Sequence, residues 1–213
     1  LQRRSFLQFA GAGAAAMALV AVGCKKDRNN GPMPSGVILD FKDDFGVLNY
    51  AYALEQLEAA FYIQVASKPP ATFSPAEKTY FQDIQFHEIA HREFFKKALN
   101  TAAIGSLEVD FSTINFNDRT SVLNAAKAFE DLGVAAYNGA GARIKTDAYL
   151  VAAGKIVSVE ARHAAYVRDL ISNGSFANAE VVNAQGLDLA LSPDKVLAAA
   201  GKFIKTKINV INL

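Results

Sequence analysis

Apolar residues recur three and four positions apart over four long stretches of this chain, at about 43–66, 74–100, 118–143 and 147–173, which predicts amphipathic helices rather than strands. The residues between them are helix stops and starts. The first stretch ends before Ser67-Lys68-Pro69-Pro70. The second opens at Ser74-Pro75-Ala76-Glu77, where Ser74 fits an N-cap, Pro75 the first helical residue and Glu77 the return partner of a capping box. A cap at Thr146 or Asp147 opens the fourth, which stops at Asn173-Gly174. A shorter helix is predicted from Ser192-Pro193-Asp194 to about Lys205, and strand-like alternation is confined to Val109-Asp110-Phe111 and the last residues.

Loop lengths then set the topology. Short connections make hairpins of helices one and two and of helices three and four, whereas roughly 17 residues, Thr101 to Asn117, lack helical pattern. At about 3.3 Å per residue that segment can reach over about 50 Å, enough to run the length of a bundle. The expected fold class is all-α: a four-helix bundle with one long crossover between helices two and three, the connectivity of ferritin-like bundles, plus a short C-terminal helix.

Composition narrows the classes of function. With 51% hydrophobic residues and 22 Lys+Arg against 21 Asp+Glu, the chain is neither disordered by composition nor a polycation suited to nucleic acid. One cysteine and three histidines exclude an intramolecular disulfide and a Cys-rich zinc site, so metal chemistry must use carboxylates and histidines. The longest apolar run, Phe9 to Gly23, has 15 residues and is short of the ~20 that span a bilayer. It follows Arg3-Arg4-Ser5-Phe6-Leu7 and ends Ala21-Val22-Gly23-Cys24, which reads as a twin-arginine-like export signal over 1–23 with lipidation at Cys24. A linker is expected over 24–40, the bundle over 41–175 and a C-terminal extension over 176–213. The expected location is the periplasm or cell envelope, with a membrane anchor on Cys24.

The residues that carry chemistry are repeated. Glu88-Ile89-Ala90-His91 lies on the second helix and Glu160-Ala161-Arg162-His163 on the fourth. Residues three apart are about 60° apart around a helix, so each E-x-x-H projects from one face. Glu55 with Tyr62 on helix one matches Glu130 with Tyr137 on helix three, 75 residues on, while both E-x-x-H residues recur after 72. One Glu from each of two helices and an E-x-x-H from each of the other two is the ligand arrangement of di-iron and di-manganese carboxylate bundles. The neighbours of Glu160 at helical spacing are Ala153, Ile156, Val157, His163, Ala164 and Val167. Glutamates on such core-facing stripes cost many kcal/mol unless compensated, and two divalent cations would compensate them; pairing with Arg92, Arg143, Arg162 or Arg168 is the alternative. Glu58 lies on an equally apolar stripe, and its equivalent in helix three is Gly133, which leaves space for Glu58 as an additional ligand or a support to one. Tyr62 and Tyr137 are positioned to donate to ligating carboxylates, to act as redox partners, or simply to fill the core. His87, about 100° around the helix from Glu88, is expected to be structural or at the surface.

The segments Leu54-Glu55-Gln56-Leu57-Glu58-Ala59-Ala60-Phe61-Tyr62, His87-Glu88-Ile89-Ala90-His91, Leu132-Gly133-Val134-Ala135-Ala136-Tyr137 and Glu160-Ala161-Arg162-His163 resemble the bacterial ferritin-like domain family that includes desiccation-related proteins. The resemblance covers roughly 40–205 and implies a bundle related to ferritins, rubrerythrins and manganese catalases. It implies Glu55, Glu88, His91, Glu130, Glu160 and His163 as ligands of two Fe or Mn ions, with dioxygen or peroxide as the small-molecule partner. A Cys-rich iron module is missing, and the lipid anchor argues against a closed storage cage, though a homo-oligomer remains open. The expected function is a dinuclear oxidoreductase of the envelope; the competing one is a non-catalytic binding or structural protein that uses the bundle as scaffold or metal store.

Overall fold

The computed structural model describes residues 35–213; the export segment 1–23 and Cys24 lie outside the described residues. The order is β1 (Val37–Asp40), α1 (Asp44–Ser67), α2 (Pro75–Leu99), α3 (Arg119–Gly141), α4 (Asp147–Ile171), α5 (Pro193–Ala200) and β2 (Ile208–Ile211). Helices α1 and α2 form one pair and α3 and α4 the other, joined chiefly through α1 and α3. Tyr62 bonds Glu130 and Tyr137 bonds Glu55, so numbering rises along α1 as it falls along α3, and the two are antiparallel. Since α1 and α2 also run antiparallel, α2 and α3 point the same way. The chain can manage this only by the long crossover.

Local chemistry sets the helix ends. Ser74 and Glu77 form the capping box at α2, Ser74 N–H donating to Glu77 at 2.7 Å and Glu77 N–H to Ser74 Oγ at 3.2 Å. At α4 the N-cap is Thr146, but its side chain makes no capping bond. Instead Asp44, at the start of α1, accepts from the backbone N–H groups of Lys145 and Thr146 at 2.9 and 2.8 Å. The end of the second helical pair is thereby fixed to the beginning of the first.

Eighteen of the 24 residues of α1 are buried, so this helix needs cover on every side, and three other helices leave one side open. The crossover fills it. Asn49 donates to the carbonyl of Ala102 and accepts from Ile104 N–H, and Gln56, two turns on, accepts from Leu107 N–H at 2.9 Å. Phe61 packs edge-on against Phe111 and Phe129 and tilted against Phe116, so aromatic rings anchor the crossover where the amides do not.

Three details differ from the sequence expectation. Residues 37–40, expected as linker, form β1, which pairs in parallel with β2 in the register Val37↔Ile208. Val37, Ile38 and Leu39 favour a strand, and Leu39 is fully buried in the core. The strand tendency of the C-terminus is thus used within the chain. The last helix stops at Ala200, and a 3₁₀ turn over Gly201–Phe203 brings Phe203 edge-on to Phe129 at 4.8 Å. In the C-terminal extension, Arg168 of α4 is almost wholly buried and bonds Asp131 at 2.6 Å, Asn178 at 2.8 Å and Glu180, which ties the extension to the bundle.

The extension passes so close to α3 that a Cβ on Gly139 would lie 1.8 Å from the backbone oxygen of Leu191, whereas one on Gly154 in α4 would meet nothing. Gly139→Ala is therefore expected to lower stability by about 1–3 kcal/mol through overpacking. Gly154→Ala is expected to raise it by about 1 kcal/mol through helix propensity. Thermal and urea unfolding of the two variants will show shifts of opposite sign.

Candidate metal centre

Six side chains from four helices converge at the middle of the bundle. Glu55, Glu88, Glu130 and Glu160 are fully withdrawn from water, His163 is buried and His91 nearly so. They form two groups able to hold a metal ion, Glu55, Glu88, His91 and Glu160 in one and Glu88, Glu130, Glu160 and His163 in the other, with the donor atoms of each group within 4.8 Å of one another. His91 Nδ1 stands 2.7 Å from Glu160 Oε1, 3.6 Å from Glu55 Oε2 and 3.8 Å from Glu88 Oε2. His163 Nδ1 stands 3.0 Å from Glu88 Oε1, 3.5 Å from Glu130 Oε2 and 3.9 Å from Glu160 Oε2. Glu88 and Glu160 thus present one oxygen to each group, while Glu55 and Glu130 belong to one group each.

These atoms lie within ion-pairing distance of one another but make no well-formed hydrogen bond. Both carboxylate oxygens of Glu88 and Glu160, one each of Glu55 and Glu130, and Nδ1 of both histidines are buried without a hydrogen bond, short as some of the separations are. Donor atoms gathered in a buried site without hydrogen bonds suit a cation, because a buried polar atom left unpaired costs about 1–3 kcal/mol. The arginines weighed as alternative partners are engaged elsewhere: Arg92 with Glu93, Arg162 with Ser158, and Arg168 with Asp131 and Glu180. Arg143 lies over the ring of Phe41. Four carboxylates and two imidazoles balance two divalent cations in charge, and the cluster is compatible with a dimetal site.

The remaining oxygens of Glu55 and Glu130 are held crosswise. Tyr62 of α1 donates its hydroxyl to Glu130 on α3, and Tyr137 of α3 donates to Glu55 on α1. Burial keeps both phenols well above their usual range, hence neutral and able to donate. Glu58 is buried with one oxygen unpartnered and fills the space beside Gly133, where a Cβ would lie 2.9 Å from Glu58 Oε1. It lies outside the two ligand groups.

His87 is exposed, as expected for a surface residue, yet its Nδ1 is 2.9 Å from Nε2 of His163. The His87-Glu88-Ile89-Ala90-His91 spacing, which in metalloproteases directs two histidines to one zinc, is not used in that way: His91 faces the cluster and His87 reaches across to α4. The partner lies on another helix, which is why no periodicity within α2 could indicate the contact.

Burial and the close approach of like and opposite charges shift the protonation of every member of the cluster. Burial raises Glu58 and Glu160 well above the usual carboxylate range, reinforced by the neighbouring glutamates, and raises Glu130 and, to about 7, Glu55. Burial acts the same way on Glu88, but His163 and His91 outweigh it and hold this carboxyl down at about 2. Burial lowers the histidines, but the carboxylates around them prevail, raising His163 to about 11 and His91 further.

The fold and site define a class: a helical bundle with a buried carboxylate–histidine cluster at its centre. A model of the ferritin-like domain matches residues 43–173, more than half of the chain, and the chain belongs to this family. Comparison with curated proteins gives no match.

The pH dependence of the metal-free protein follows. Carboxyls raised above 4.5 bind protons in the folded state that the unfolded chain has released, so their contribution is full below 4.5 and is lost as pH rises. The histidines add the same trend above 6.5, while Glu88 opposes it only in acid, between 4.5 and about 2. The metal-free Tm is expected to fall from about pH 5 to about pH 9, and added metal should reverse the slope because its ligands must be deprotonated. Calorimetry across this range checks it; a metal-free Tm that rises with pH would contradict the cluster's burial.

Proposed function

We propose that this is an exported, membrane-tethered ferritin-like protein whose cluster holds two Fe or Mn ions and reacts with dioxygen or peroxide. The observation that carries the reading is the set of eight buried donor atoms, from six side chains, left without hydrogen bonds and divided into two groups. Oxygen-rich ligands with one imidazole per group suit iron or manganese better than a soft metal. Two such ions, when bound, supply the paired electrons that reduce dioxygen or peroxide.

The chain's own residues supply the rest. Glu88 and Glu160 would bridge, Glu55 and Glu130 would serve as terminal ligands, and His91 and His163 would each complete one group. Tyr62 and Tyr137 orient the terminal carboxylates by their crossed hydrogen bonds and keep a hydroxyl proton beside each. Tyr137 also lines an apolar recess with Leu48, Ala51, Leu54, Phe95 and Ala153, which would admit a small uncharged oxidant and disfavour ions.

Elemental analysis of the purified protein after reconstitution with Fe(II) or Mn(II) tests the reading. The expected content is about two ions per chain, lost when Glu88 and Glu160 are both replaced by Ala. Consumption of dioxygen or hydrogen peroxide by the loaded protein separates an enzyme from a metal store, and a protein that takes up no metal removes both. Independently, Cys24→Ser is expected to move the protein from the membrane fraction to the soluble one if the anchor is as proposed.

A further inference from the structure

The two halves of the cluster are nearly equivalent in their donors but not in what lies behind them. Nε2 of His163, the nitrogen turned away from the carboxylates, is 2.9 Å from Nδ1 of His87. The ring planes are within 7° of one another with centroids 5.2 Å apart. That separation is too large for face-to-face stacking despite the parallel planes. The rings instead meet edge to edge in one plane, so an N–H on one lies along the lone pair of the other, the geometry of a strong hydrogen bond. With the repeat of 72 residues, the position on α4 equivalent to His87 is Val159, which offers His91 no acceptor.

We propose that His87 is a positioning residue for His163 and makes the two metal positions unequal. When Nδ1 of His163 is a ligand, its proton must reside on Nε2, and His87 Nδ1 accepts it. That bond fixes the tautomer, holds the ring plane toward Glu88 and Glu130, and increases the basicity of Nδ1. His87 then carries its own proton on Nε2, which its exposed position leaves to solvent. Among the described residues no hydrogen bond holds Nε2 of His91 in the same way. The group containing His163 is accordingly the tighter position and fills first, and the group containing His91 is the looser one. The inference rests on the dimetal reading above and adds to it an order of filling.

Optical titration of the purified protein with Co2+ alone, against a competing chelator, tests it. The parent is expected to bind two ions with separable affinities. In His87→Phe, which keeps a flat ring but removes the acceptor, one of the two affinities should fall about 10–100-fold with the other unchanged. In His87→Gln, whose amide oxygen can accept the same proton, most of the loss should be recovered. Val159→His should tighten the weaker position. In the Zn2+-loaded protein, 15N-labelled imidazoles add a readout independent of affinity: the parent should show His163 protonated on Nε2 with a strongly downfield proton, and His87→Phe should lose that signal. Two ions bound by the parent, with both affinities and the imidazole signal unchanged in His87→Phe, overturn the inference and leave the dimetal reading standing. No binding by the parent overturns both.

Discussion

Five glutamates withdrawn from water in the middle of one small helical bundle set the terms for everything around them. An ion of this size costs several kcal/mol to bury even after the protein relaxes, and like charges a few ångströms apart cannot all remain ionised without compensation. Glu55, Glu88, Glu130 and Glu160 are wholly buried and Glu58 nearly so. The chain answers with His91 and His163, whose Nδ1 atoms stand among the carboxylates. Cations would answer more completely, because they would also satisfy the buried oxygens that have no hydrogen bond.

This demand shapes the architecture. Neither helical hairpin can build the cluster alone: Tyr62 of the first holds Glu130 of the second, Tyr137 of the second holds Glu55 of the first, and each histidine faces the glutamate of the opposite E-x-x-H helix. Such crossed dependence makes the cluster a report on the docking of the two halves. It also accounts for the burial of α1 on nearly every side. With a charged cluster on one face, the helix still buries the remainder of its circumference, and Asn49, Gln56 and Phe61 secure the crossover over the side that no helix covers. The arrangement is costly in polar burial and is held by many long-range contacts.

The repeat gives the site its two-fold character, and the departures from the repeat give each half its own behaviour. Gly133 stands where the first half has Glu58, and the carboxylate of Glu58 occupies the space that a side chain there would need. Val159 stands where the first half has His87. Glu58 thus adds an acid that the second half lacks, and His87 adds an imidazole behind the group containing His163 only, so two groups with matching donors differ in their surroundings.

The sequence by itself determined the four long helices, the capping box of α2, the order of hairpin, crossover and hairpin, and the six side chains that converge at the cluster, because each of these is written in local spacing or in a repeat. Ser74-Pro75-Ala76-Glu77 specifies a helix start wherever it folds, and an E-x-x-H places both side chains on one face of any helix. It could not determine contacts between elements distant along the chain. The pairing of Val37 with Ile208, the capping of Lys145 and Thr146 by Asp44, the amide clamps on the crossover and the bond between His87 and His163 join residues 51 to 171 positions apart. Their formation depends on how the two pairs dock, and that is decided by packing the apolar stripes and the buried charges together, which no short window of sequence contains.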